Sequence, residues 1–291
     1  MAVRPVIAGV DGSEESLRAV EWAAREARRR AVPLRVFSAP AMPPRMHAFT
    51  DEQTVANALR GMCARSLRAA VTRSEETVHG LGVDTALLTG PPALALTRAC
   101  RDAALLVLGA RGSGGFSGLA LGSVSRYVAT RAACPVVVVR HEAGRGLRHE
   151  IVAGIRDAQD AGEALAFAFE EAMLTEAELV VVHAWYWFPS AFGLPDSEAG
   201  TASPDRMSEA AGRRLAEALV PWRDKYPGVR VRQDVVHGHP GRVLASYTAR
   251  ADLVVLGRHG ASCAAGPGIG SIQHAVLNHA HGTVAVVGPG E

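Results

Sequence analysis

Two glycine-rich stretches are where residue type and spacing could do chemistry in this 291-residue chain. The first is Gly109-Ala110-Arg111-Gly112-Ser113-Gly114-Gly115, with nine residues between Gly112 and Gly122-Ser123-Val124. The second is Gly257-Arg258-His259-Gly260-Ala261, with Gly270-Ser271-Ile272 at the same spacing. Glycine lets a backbone approach an anion closely, and the start of a helix adds unpaired N–H groups and the positive end of its dipole. Ser123 and Ser271 each add a hydroxyl. The chemistry on offer is phosphate binding. A flexible surface loop would account equally well for one such stretch. The two copies, however, keep a constant offset of 148 residues, while their interiors (Ser113 to Leu121, Ala261 to Ile269) diverge. A matching frame with different filling indicates that the frame has the job.

Other chemistries are excluded or left weak. Lys225 is the only lysine, so neither loop can carry the lysine of a P-loop enzyme. No Gly-x-Gly-x-x-Gly follows the first apolar run, which argues against a dinucleotide enzyme. Gly115-Phe-Ser-Gly118 is not a nucleophile elbow. Cys63, Cys100, Cys134 and Cys263 lack metal or redox spacing and read as small residues of a reducing compartment. His274, His279 and His281 do not converge at helical spacing, and His237 and His239 read as loop residues. A net charge of +2 with scattered basic residues makes no case for nucleic acid or an anionic membrane. The N-terminus has no signal region and no apolar run reaches membrane-spanning length, so the expected location is the cytoplasm.

The elements that must position the loops alternate. Pro5 to Val10 is a short apolar run ending at Asp11-Gly12, and Ser13 caps a helix with Glu14 and Glu15 in its first turn. Leu34 to Ser38, Val83 to Thr89, Ala104 to Leu108 and Pro135 to Val139 are further strands, separated by helices. Such alternation predicts a parallel sheet with right-handed crossovers. After a linker, His141 to His149, the series restarts at Ile151, giving domains over 1–141 and 150–291. Over the first helix the offset between copies is 145, so Glu26-Ala27 matches Glu171-Ala172. It reaches 148 by Gly90 and Gly238, which predicts a three-residue insertion, expected in the loop Trp185 to Pro204. The aromatic run Trp185 to Phe188 reads as a lid or interface patch, with stacking on a base as the sharper alternative.

With Val6-Ile-Ala-Gly-Val-Asp-Gly-Ser13 and two copies of Gly-x-x-Gly, nine residues, Gly-Ser, the chain resembles the universal stress protein family in its tandem form. The resemblance covers nearly the whole chain. It implies two Rossmann-like, doubly wound α/β domains, each with a five-stranded parallel sheet of order 3-2-1-4-5, whose ligand crevice lies between strands one and four. It further implies ATP, accompanied by Mg2+, as the ligand. Gly9 would allow close approach, Asp11 would contact the nucleoside and the backbone near Ser38-Ala39 would meet the adenine. Gly109 to Gly115, Gly122, Ser123 and Val124 would cradle the phosphates. The plainer role for Asp11 is a turn residue holding its own backbone. The second copy departs from the pattern, because Arg156 aligns with Asp11 and cannot accept hydrogen bonds. Gly154, Gly257, Arg258, His259, Gly260, Ala261, Gly270, Ser271 and Ile272 remain its candidates. The implied role is regulation in stress response through nucleotide-dependent conformation or assembly. The alternatives are an adenine-nucleotide hydrolase or adenylyl-transferring enzyme in the same crevice, and a scaffold that works without nucleotide. The halves are expected to pair as an intramolecular pseudo-dimer through their last strands, with a homodimer of chains as a further option.

Overall fold

The computed structural model describes residues 3–41, 51–114, 120–140, 148–156, 162–186, 204–258 and 270–288. In the first half the elements are β1 (Val6–Val10), α1 (Glu14–Arg29), β2 (Leu34–Ser38), α2 (Glu52–Thr77), β3 (Val83–Leu87), α3 (Pro92–Ala99), β4 (Leu105–Gly109), α4 (Ser123–Arg131) and β5 (Val136–Val139). The second half repeats them as β6 (Glu150–Gly154), α5 (Gly162–Thr175), β7 (Glu178–Trp185), α6 (Pro204–Lys225), β8 (Val231–His237), α7 (Pro240–Tyr247), β9 (Leu253–Gly257), α8 (Ser271–His279) and β10 (Val284–Val287). β7 runs two residues past the expected end at His183, because the β8 ladder carries it on to Trp185 opposite His237.

The sheet has ten strands in the order β3-β2-β1-β4-β5-β10-β9-β6-β7-β8. Read inward from either edge, each half has the expected 3-2-1-4-5 order, and all pairs within a half are parallel. The halves join through one antiparallel pair at the centre, with Val136 opposite Val286 and Val138 opposite Val284. This is the expected pseudo-dimer. Two strands of uninterrupted valine and alanine would otherwise be open apolar edges, and pairing removes both. The strand registers carry the duplication as well: Gly9 lies opposite Phe37 and Gly154 opposite Val182, whereas Leu34 lies opposite Val83 and Leu179 opposite Val231. The offset therefore changes between β7 and β8, where the insertion was expected.

Central strands are buried on both faces, which is why they read as continuous apolar runs rather than alternating ones. Val6, Ala8 and Val10 meet α1 and α2, and their counterparts meet α5 and α6. Ile7, Leu106 and Leu108 face the opposite layer, where α3, α4, α7 and α8 pack. α1 lies close against the sheet because its inward face is Ala19, Val20, Ala23, Ala24 and Ala27. Ser13 caps its start by accepting from Ser16 N at 3.2 Å.

On that same inward face sits a charge. Glu26 is 0% exposed, its counterpart Glu171 is 1% exposed, and the two approach across the boundary between halves. Arg30 holds them: Nε donates to Glu26 at 2.5 Å, Nη1 to Glu170 at 2.9 Å, and Nη2 to Glu171. Burial first, and the charge of Glu26 second, push the Glu171 carboxyl up to about 8 against the pull of Arg30. Its unfolded value is near 4.5, so between those values the native state binds the extra proton. The resulting stabilisation is full below about pH 4.5 and is lost as pH rises through 8, at a slope of up to ~1.4 kcal/mol per pH unit. Facing groups are Glu26 and Arg29 from α1, Arg30 at its C-cap and Glu170 from α5, with Arg25, His149, Glu176 and Asp252 at the rim of the same crevice. The melting temperature is expected to fall between pH 5 and 8.5, and Glu171→Gln, a neutral isostere, to flatten the fall. An equally steep fall in the glutamine variant would contradict the assignment.

Candidate functional site

The carboxyl ends of β1 and β4 diverge at the point where strand order reverses, and a cleft of about 240 Å³ opens there. One wall is apolar: Phe37 and Ala39 from the end of β2, Pro92 and Leu96 from α3, and Leu108 from β4. The other is backbone and small polar groups, from Gly109, Gly112, Ser113 and Gly114 to Gly122, Ser123 and Val124. Residues almost a hundred positions apart are brought together by the parallel register of β1 and β4.

The glycine loop is held by its neighbours. Asp11 accepts from Ser13 N at 3.0 Å and Ser13 Oγ at 2.6 Å, which is the local turn role. Its other oxygen accepts from Ser113 N at 2.6 Å, so the same carboxylate also clamps the loop. Burial alone would raise the Asp11 carboxyl. The Ser13 hydroxyl and the backbone bonds from Ser113 and Ser13 outweigh it and hold the carboxyl below its ordinary value. Oδ2 keeps lone-pair capacity for a further donor. Glu15, in the first turn of α1, accepts from Arg111 N at 2.6 Å and pairs with the Arg111 guanidinium at 2.6 Å. Gly122 N donates to Ala110 O at 2.8 Å, closing the loop on itself.

α4 begins at Gly122, whose extended backbone offers no side-chain cap, so the first turn keeps unpaired N–H groups beside the cleft. α1, one strand away, is capped by Ser13, which accepts from Ser16 N. The helix start at the cleft without a side-chain cap is therefore that of α4, beside the loop. Ser125 Oγ fixes α4 to β4 by donating to Gly109 O at 2.7 Å.

Three glycines have steric reasons the sequence did not show. A Cβ on Gly109 would stand 2.7 Å from the Glu15 carbonyl carbon, so the close approach there is to α1. A Cβ on Gly112 would overlap Asp11 Oδ2, so the expected conflict with a phosphate comes second to one with the clamp. Gly9 is required by Leu108 and Leu96, which a Cβ would meet at 2.6 and 3.2 Å. Gly154 repeats this with Leu256 and Leu244, which makes packing rather than ligand approach the shared reason.

In the second half, Gly270 opens α8 with the same uncapped, extended geometry as Gly122. Gln273 takes the place of Ser125, its Nε2 donating to Gly257 O at 2.5 Å. Ser271 and Ile272 lie in the first turn, and Gly257 ends β9. Arg258 follows it, its amide donating to Val287 O. Arg156 stands exposed at the end of β6, in the position of Asp11. Gly115, His259, Gly260 and Ala261 lie outside the described residues, as do Trp187 and Phe188. The described aromatics of that run pack on a histidine: Trp185 and Tyr186 lie 4.6 and 6.2 Å from the His237 ring. Sequence reasoning missed Phe37, Pro92 and Leu96 as the apolar wall and Glu15 as the anchor of Arg111. The i, i+4 spacing of Pro92 and Leu96 on α3 was the available signal.

Among the described residues no group of three His, Cys, Asp or Glu side chains could hold a metal, and no helix is long and apolar enough to cross a membrane.

The family model described as the universal stress protein family matches residues 2–140 and again 148–288. A universal stress protein of Mycobacterium tuberculosis is 33% identical over 303 residues, covering 97% of this chain and 94% of its own. Another from the same organism is 31% identical over 298 residues, covering 97% and 95%. Among solved structures, a universal stress protein from Archaeoglobus fulgidus superposes with a TM-score of 0.72 over 99% of both chains. At 17% identity it is a likeness of fold.

Proposed function

The chain belongs to the universal stress protein family, and from that premise we propose that it is a nucleotide-binding regulator whose first half holds ATP. The observation that carries this is the division of the first cleft into an apolar wall and a wall of glycine backbone, Ser123 and an uncapped helix start. That division fits a ligand with a flat apolar end and a polyanionic one. The base would lie between Phe37, Ala39 and Leu96, the ribose would face Asp11, and the phosphates would take Gly109 to Gly114, Gly122, Ser123 and Val124. A magnesium ion would arrive on the phosphates, with Asp11 and Ser123 as the nearby oxygen donors. Asp11 and Glu15 are both engaged in holding the loop, which favours binding over hydrolysis.

The two halves would bind unequally. Both keep the uncapped helix start, and Arg156 replaces the carboxylate in the second. Loss of a charge-assisted hydrogen bond costs about 1.5–3 kcal/mol, or on the order of ten- to a hundredfold in affinity. Calorimetric titration of the full chain with ATP and Mg2+ is expected to give one tight and one weaker phase. Asp11→Ala should weaken the tight phase by that factor, and Arg156→Asp should strengthen the weak one. Two identical tight sites, or an Asp11→Ala variant with unchanged affinity, would count against this reading, and steady release of phosphate would move it to the hydrolase.

A further inference from the structure

Arg140 follows β5 directly and reaches into both halves. Its Nη2 donates to Ala120 O at 2.6 Å, two residues ahead of the cap Gly122, and to Leu277 O in α8 of the second half. Leu277 lies in the last turn of α8, where carbonyls lack an intrahelical partner. The Ala280 amide bonds to Val276 O, and the His281 amide turns away to Thr248 Oγ1 at 2.8 Å. Arg140 thus caps, from the other half, a carbonyl that α8 cannot satisfy, and its charge suits the negative end of that helix.

Among the described residues the guanidinium is poorly compensated. Its Nε is buried and finds no acceptor among the described residues. Burial pushes it down, Glu15 attracts it and Arg111 repels it. Glu15 is already paired with Arg111, so the charges Arg140 feels are those of the first glycine loop. An anion arriving at that loop adds counter-charge to the little this cation finds among the described residues, in surroundings where charges interact several times more strongly than in water.

We propose that Arg140 is a positioning residue coupling the halves: a polyphosphate at the first glycine loop draws its guanidinium toward Ala120 and off Leu277, and the last turn of α8 loosens. This rests on the nucleotide reading of the first cleft. α8 begins at Gly270-Ser271, so the affected helix is the one that frames the second loop. The seam also carries a link in the opposite direction. The guanidinium of Arg258, a residue of the second loop, lies against Gly288, just past β10, and within electrostatic reach of Cys134, just ahead of β5. Coupling between two sites is reciprocal, so a ligand on either loop is felt at the other.

Backbone amide hydrogen exchange of the full chain, with and without saturating ATP and Mg2+, tests this at residues 277–280. ATP is expected to speed exchange there about fivefold or more, the lower end of usual coupling factors. In Arg140→Met the turn should exchange fast without ATP and show no response to it. Arg140→Lys, which keeps the cation, should retain part of the response. Gly112→Val, which blocks the loop, should abolish it. A merely structural Arg140 would change the baseline and leave the ATP response intact, so an undiminished response in Arg140→Met overturns the coupling. ATP that binds by calorimetry yet leaves 277–280 unchanged or slower also overturns it. ATP that fails to bind the parent chain overturns the reading of the cleft, and the coupling with it.

Discussion

Replacing Arg30 by alanine is expected to destabilise the protein by about 3–5 kcal/mol, the range for removing one partner of a buried ion pair. The guanidinium is 10% exposed and is the shared partner of Glu26, Glu170 and Glu171. Without it, Glu26 and Glu171 would face each other with Arg29, 3.2 Å from Glu26, as a nearby cation and Arg25 at the rim. Arg30 also lies 5.6 Å from the Phe167 ring centroid, so its loss removes packing as well as charge. Protonation would relieve part of the penalty, and the loss should therefore grow from pH 6 to 8.5. Denaturant titration of Arg30→Ala beside the parent measures it. A loss below about 1 kcal/mol would put the network in the class of surface ion pairs. The pair Glu26 and Glu171 sits where the halves meet, so disruption should also favour separation of one half from the other, visible as two transitions in place of one.

Gly112→Val is expected to lower ATP affinity by on the order of a hundredfold or more, at least ~2.7 kcal/mol, with little change in melting temperature. Two effects combine. The new Cβ overlaps Asp11 Oδ2 and must break the 2.6 Å bond from Ser113 N, releasing the loop. The two methyls then occupy space between the loop and the end of β1, where the ligand would lie. Gly112 is exposed, so the folded core is not disturbed. Gly109→Ala makes the contrast: its Cβ meets backbone of α1 at 2.7–3.0 Å, and the cost should appear as lost stability. Equilibrium dialysis with ATP and a thermal melt on both variants separate the two. A folded Gly112→Val protein with parental affinity would remove the glycine loop from the site.

What could be read without coordinates was whatever depends on neighbours in the chain. Ser13 as a cap, Glu14 and Glu15 in a first turn, and Gly122 and Gly270 at helix starts are local matters of backbone donors and dipoles. The valine runs read correctly as strands, and the repeat carried the order of elements of one half over to the other. The pairing of the last strands was implied by the family resemblance, and it covers two edges that would otherwise be open and apolar.

What only the tertiary structure decided is which distant group each residue serves. Gly9 is required by Leu96 and Leu108, Gly112 by Asp11, and Gly109 by the backbone of α1. None of these partners is a sequence neighbour, so glycine spacing alone suggested a ligand for all three. In the sequence Arg30 and Arg140 are two among the scattered basic residues. The antiparallel seam of β5 and β10 brings α1 beside α5 and the end of β5 beside α8. Arg30 thereby becomes a bridge to Glu171, and Arg140 a cap on Leu277. A charge is read from its residue type, but its partner and its burial depend on where the sheet register places the rest of the chain.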